Sequence, residues 1–442
     1  MPPWLVAWGA SLVLIVSFSL LALLWQRPRL QREFWRPLPR WMGAICCGRF
    51  ARFTAGILGV GCLALVIYAG LAGRQDTATN FAITFVFVTF WIGMPLASAI
   101  FGNVFSFLSP WRAFGELVAH LGRRWDIPSP RWNYPERLGC WPALIVIFSF
   151  GWLELVGGVG SSMISPKTVA ILALVYTGWT LLGMYAFGVR VWNERGEGFA
   201  VYFEMFSRLS SFTVQGGRLG IRRFLSGAAS WSTHRGAAAL VLLAIGMTTF
   251  DGAQEGVLQP VIRSTAEAFI EGGMSGITSF RIAGTLWMLV VLGLVGGLYL
   301  IGVKGMRTIK GSPSLRTLSL AFAHTLIPIA LAYLVAHYFS FLIFQEQAQF
   351  TYLLSDPLGT GSDLFGGADA GIDYGILGTS AIWGVQVGVL ILGHVVGLML
   401  AHDRAIATYR NPQMAFRSQF WMLGVMITFT CLGLFLLSQG NA

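Results

Sequence analysis

Charge is scarce in this 442-residue chain: Asp, Glu, Lys and Arg together make up 11% of it, under half of the roughly 25% usual in soluble domains. So few charges cannot cover the surface of a soluble fold of this length. Cysteine is sparse as well. The five present, Cys46, Cys47, Cys62, Cys140 and Cys431, have neither the density of a disulfide scaffold nor a metal-ligand spacing. No HExxH, CxxC or Gly-x-Ser-x-Gly string occurs, and GTGSDLFGG lacks the Lys that a phosphate-binding loop requires. These absences exclude zincin-type proteolysis, a nucleophile elbow and ATP-driven chemistry in this chain.

What is present is apolar. Hydrophobic residues reach 55% and mean hydropathy is +0.67, which also excludes disorder. A spanning helix needs about 20 mostly apolar residues to cross roughly 30 Å of hydrocarbon. Ten stretches qualify: 4–25, 52–72, 81–101, 140–158, 168–190, 237–252, 283–303, 318–344, 379–401 and 418–438. The short alternating segments of a β-barrel do not occur. The expected fold is therefore all-α: one integral membrane domain over 1–442, a polytopic bundle of about ten transmembrane helices. The first stretch has no basic flank before it and no small-residue cleavage site after it, and reads as a retained span.

Lys and Arg stay on the cytoplasmic side of membrane proteins. Alternate loops hold 26 of the 30, including Arg27, Arg29, Arg32, Arg36 and Arg40 after the first span and Arg404, Arg410 and Arg417 after the ninth. The other side keeps only Arg74, Lys167, Arg263 and Arg281. This pattern predicts both termini outside. It also assigns the net charge of +11 to topology and anionic-lipid contact, with no nucleic acid among the partners.

Acidic residues gather opposite. The stretch 345–378, QEQAQFTYLLSDPLGTGSDLFGGADAGIDYGILG, combines Asp356, Asp363, Asp369 and Asp373 with apolar and aromatic residues. It predicts an ordered acidic cap over the outer mouth. The segment 198–212, GFAVYFEMFSRLSSF, is too polar to span and reads as an amphipathic helix along the inner interface. Gly293 and Gly297, and then Gly384, Gly388, Gly393 and Gly397, recur at spacings that let helix backbones approach.

Ionisable groups in hydrocarbon are costly and mark functional candidates. Three histidines qualify: His324 and His337 in the eighth stretch and His394 in the ninth. Antiparallel helices place His324 roughly 9 Å and His394 roughly 10 Å from the inner edge, where the two would meet if their faces agree. They are the candidate ligands of a haem, the reading of a redox subunit. His337 lies roughly 10 Å below the outer edge, level with Gln386. An outer constellation of His337 with Glu154, Asp251, Asp363 and Asp373 follows. Imidazole with carboxylates suits Zn, Mn or Fe, and such a divalent metal activates water. The plainer alternative is a hydrogen bond from His337 to a neighbouring helix, with the carboxylates capping loops.

Several strings carry a resemblance together: FSFLSPWRAF (105–114), NYPERLGCWPA (133–143), WLEL (152–155), TTFDG (248–252), AHYFSFL (336–342), SDPLGTGSDLFG (355–366), GIDYG (371–375) and LAHDRAIA (400–407). The combination resembles a family of bacterial multi-pass membrane proteins known as fenitrothion hydrolases, and it extends in order over nearly the whole chain. The resemblance implies a bacterial inner-membrane enzyme that hydrolyses a lipophilic organophosphate triester and releases a nitrophenol. The family pattern includes a His-Gly stretch before the first span, which MPPWLVAWGA does not carry. Another group, or a partner membrane subunit, is expected to take that role. The mechanism expected on these grounds is metal-assisted hydrolysis, with His337, Asp251 and Glu154 catalytic. A transporter or permease is the alternative.

Overall fold

The computed structural model describes residues 3–31, 34–124, 130–158, 164–231, 234–409 and 411–440. Arg32 and Arg410 of the basic loops lie outside the described residues. Among the described residues nine helices are long and apolar enough to cross a membrane. In chain order with two shorter ones, the principal helices are α1 (Trp4–Leu24), α2 (Arg40–Ala72), α3 (Phe81–Phe101), α4 (Trp141–Gly157), α5 (Pro166–Phe187), α6 (Gly198–Ser207), α7 (Ala237–Gln254), α8 (Gly276–Met306), α9 (Leu315–Ser355), α10 (Thr379–Thr408) and α11 (Pro412–Gln439). The architecture is an all-α bundle of multi-pass membrane type. The fourth expected span, α4, is apolar but falls short of the other nine.

Local chemistry sets the helix starts. Ser165, Ser275 and Ser314 each accept a hydrogen bond from the backbone N–H three residues on, satisfying a donor that the first turn leaves open. Asn80 caps α3 in the same way, accepting from Ala82 N at 3.0 Å. Two helices contain wide turns. Phe85–Gly93 in α3 and Leu153–Gly157 in α4 are π-helical, a geometry that concentrates at functional sites.

A small antiparallel sheet stands between the long helices, in order β1 (Trp35–Pro37), β3 (Arg218–Arg222), β2 (Phe212–Gln215). Strands β2 and β3 form a hairpin, with Gln215 opposite Arg218. Its turn residues Gly216 and Gly217 have φ of 55° and 76°, the left-handed pair that a two-residue hairpin demands. The all-α expectation included no strands. The period-two signal of such short strands is lost among the surrounding arginines.

Helix α6 corrects a second expectation. Only Ala200 and Glu204 of its ten residues are not buried, so it is an interior helix and not one laid along an interface. Aromatic rings of α3 pack against it: Tyr202 stacks on Trp91 at 5.0 Å, and Phe199 and Phe203 meet Phe90 edge-on at 4.8 and 5.1 Å. Its start is capped by Glu197, which is fully buried and accepts from Phe199 N and Ala200 N at 3.0 and 2.7 Å. The Tyr176 hydroxyl donates to the same carboxylate.

Helices α9 and α10 pack antiparallel at backbone distance. A Cβ added at Gly393 would fall 2.2 Å from Ala332 Cβ, and one at Gly397 would fall 2.9 Å from Thr325 O. The glycine stripe thus works in one half of α10 only, since Gly384 and Gly388 face open space, as do Gly293 and Gly297 of α8.

The stretch 345–378 begins as the last turns of α9 and then becomes an ordered loop. Arg74 N donates to Leu358 O at 2.9 Å and Phe81 N to Pro357 O at 3.2 Å, pinning it to the α2–α3 connection. Asp356 accepts from Thr360 N, Gly361 N and the Ser362 hydroxyl. Its slight burial opposes ionisation, yet these three donors outweigh that and hold the carboxyl below its ordinary range. Asp363 accepts from Gly367 N and Ala368 N.

Candidate functional site

Asp251 sits in the last turn of α7, on the string TTFDG, where an apolar helix carries one carboxylate into the bundle. Helix α9 brings His337 and Tyr338 to it. His337 Nε2 lies 2.9 Å from Asp251 Oδ2, and the Tyr338 hydroxyl donates to the same oxygen at 2.5 Å. Gln254 Nε2 donates to Oδ1 at 3.0 Å. The side chains of His337 and Asp251 are 20% and 10% exposed, so the pair is largely withdrawn from solvent while keeping one open edge. Low dielectric strengthens such bonds, and it makes loss of either partner costly.

Two small cavities flank this cluster. One, of about 10 Å³, is lined by Glu154, Trp91, Tyr202, Thr248 and Tyr338, among others. The other, of about 20 Å³, is lined by His337 with Thr248, Thr249, Tyr333, Gly433 and Leu436. A Cβ placed on Gly252 would fall 3.7 Å from both Cε1 and Nδ1 of His337, so that ring edge faces the wall of the second cavity. Roughly 10–15 Å³ is the room one water needs. Each cavity therefore suits about one water and no larger molecule.

The structure unites three of the expected residues and separates the rest. Asp251 and His337 are bonded, and Glu154 faces Tyr338 across the first cavity. Asp373 sits beside Gln347, whose Oε1 accepts from its backbone N–H at 3.0 Å. That is ten residues, about 15 Å of helix rise, beyond His337. Asp363 is farther still, next to Ser355, with its carboxylate engaged in its own turn. The expected metal set is not assembled. Zinc sites take three or four protein ligands, and among the described residues no three His, Cys, Asp or Glu side chains converge on a possible ion. Both Asp251 oxygens already accept from protein side chains.

The haem pair is corrected too. Contacts of Gly393 with Pro328 and Ala332, and of Gly397 with Thr325, set the helix register. It offsets His324 from His394 by about five residues, roughly 7.5 Å. Backbone contact between α9 and α10 leaves no slot for a macrocycle. His394 Nδ1 lies 2.9 Å from Leu390 O within its own helix, and the Nε2 atoms of both histidines are buried with no hydrogen-bond partner among the described residues. The same register puts Gln386 about level with His337, where its Oε1 is buried with no hydrogen-bond partner among the described residues.

Sequence reasoning missed Tyr338, Gln254 and Tyr202. Tyr338 was legible as the neighbour of His337 in AHYFSFL, yet adjacent helix positions point about 100° apart, and only the location of Asp251 lets both reach one oxygen. Also missed was the buried pair His402 and Asp403. Asp403 is fully buried and accepts from Trp25 Nε1 at 3.0 Å, Arg29 N at 2.5 Å, Leu30 N at 3.2 Å and Gln31 Nε2 at 2.8 Å. His402 bridges Gln419 and Trp25 O. Together they clip the chain after α1 to the end of α10.

No family model, curated protein or solved structure matches this chain.

Proposed function

We propose that this chain is a membrane-embedded hydrolase in which Asp251 and His337 form a proton-transfer dyad that activates water. The observation that carries the reading is the bond between His337 Nε2 and Asp251 Oδ2, with the opposite ring edge turned to a cavity of one-water size. A carboxylate on one ring nitrogen orients the imidazole and favours proton uptake at the other, which takes a proton from water. Tyr338 and Gln254 hold the carboxylate in place. No step in this reading is assigned to a metal.

The substrate follows from the resemblance: a lipophilic organophosphate triester reaching the dyad from the bilayer. An aryl-oxide leaving group departs without a strong general acid. The cavity admits the water only, so the ester has to enter where α7, α9 and α11 meet, past Gly252 and Leu436. The charge sorting supports ten crossings with α4 as the short one, both termini outside, and the inner membrane of a bacterium as the location.

The test is hydrolysis of a nitrophenyl phosphotriester by purified full-length protein in detergent. His337→Ala should lower turnover by roughly 10²–10⁴-fold, the usual contribution of a general base; undiminished turnover overturns the assignment. A second reading, proton-coupled transport, is favoured by one observation: both cavities beside the cluster are of water size. It predicts substrate movement across sealed vesicles without chemical change.

A further inference from the structure

Glu154 takes no part in the dyad, yet its placement asks for an account. It lies in the π-helical turn of α4, and the facing wall of its cavity includes Trp91 from the π-helical stretch of α3. Tyr338 belongs to both sides of the site. Its ring lines the cavity of Glu154, and its hydroxyl bonds the oxygen that His337 also contacts.

We propose that Glu154 is the far end of a proton path that runs from His337 through Asp251, Tyr338 and one water in the Glu154 cavity. When His337 Nδ1 takes a proton from water, Nε2 passes one to Asp251 Oδ2. The Tyr338 hydroxyl, which at rest donates to Oδ2, turns its own proton to the cavity water and accepts the one from Asp251, and the water delivers one to the Glu154 carboxylate. Each group ends with its original number of protons except Glu154, which gains the one that water lost. No electron changes hands, and the positive charge does not stay on the buried imidazole. The inference rests on reading His337 as a proton-transfer group, and it serves hydrolysis and transport alike. The groups facing the path from neighbouring elements are Tyr202 of α6 at the Glu154 cavity and Glu255, just beyond α7, near His337. At the end of α4, Arg281 donates to Gly157 O.

Glu154 acts through the other groups, so its test reads protonation directly. Infrared difference spectra of the full-length protein in lipid nanodiscs are recorded along a pH titration. Glu154→Gln should remove one protonated-carboxyl stretching band. Tyr338→Phe should keep that band and move its midpoint by about one pH unit or more, the scale on which coupled groups separate. If Glu154→Gln does not fold, Glu154→Asp should displace the band. An unchanged band in the Glu154 variants, or an unmoved midpoint in Tyr338→Phe, overturns the path. Protein that hydrolyses no triester but shows both signatures removes the hydrolase reading and leaves the path standing. Hydrolysis with neither signature does the reverse.

Discussion

A single carboxylate oxygen, Asp251 Oδ2, accepts from or bonds two neighbouring side chains of α9. Asp251→Asn preserves shape and removes the charge that orients the imidazole, so hydrolysis should fall nearly as far as in His337→Ala. Measuring the two variants and the double variant decides whether they act as one unit; additive losses would separate them. Because the dyad needs no ion, chelator treatment should leave turnover intact. Loss on chelation with recovery on adding Zn or Mn would restore a metal. Glu197 makes a separate prediction. Burial pushes its carboxyl up to about 7, although Tyr176, Ala200 and Phe199 donate to it and pull the other way. An acid whose folded value is raised binds its proton more tightly in the folded state. Its contribution to stability is present at low pH and is lost as pH rises from its ordinary 4.5 to about 7. Thermal unfolding midpoints should fall across that window, and Glu197→Gln should flatten the slope. An equally steep profile in the variant would refute the assignment.

At the scale of elements, the contact of α9 with α10 depends on missing side chains. Gly393→Ala would press a methyl onto Ala332 Cβ at 2.2 Å and Pro328 O at 2.8 Å. Overpacking of this kind costs about 1–3 kcal/mol, so the unfolding midpoint should drop clearly. Gly388→Ala, which meets open space, should leave it within error. Equal behaviour of the two variants would contradict the observed register. That register also explains why His324 and His394 fail to pair. Depth along the sequence places both near one level, but the offset between two helices is set by which residues lack a Cβ at the crossing. The glycine spacing was readable; which glycines are used was not, because a stripe of small residues does not say what lies against it.

For the whole molecule, the sorted arginines predict that the cap and the sheet-bearing loops lie on opposite sides of the bilayer. Single cysteines replacing Ser362 of the cap and Gln215 of the hairpin should react with a membrane-impermeant thiol reagent from opposite faces of oriented vesicles. Labelling of both from one face would break the topology and the proposed route of the ester. The helical bundle itself was legible almost throughout, since long apolar runs have no other stable form in lipid. The boundaries that shifted are informative. The segment 198–212 carries Glu204 and Arg208, which suggested a surface, but eight of the ten residues of α6 are buried.

Sequence alone determined the class of the protein, its helical segments and the short roster of ionisable groups in apolar surroundings, because hydrophobicity and charge are properties of composition and order. Of that roster it could not choose partners. Asp251 and His337 are 86 residues apart, and their meeting depends on how α7 and α9 rotate and slide against each other. Only the packed structure decided that one carboxylate serves both His337 and Tyr338, that Glu154 shares a cavity with Tyr338 and that Asp363 and Asp373 remain with their own loop. Rotation and register follow from close packing of side chains across helices, a cooperative property that no local pattern encodes.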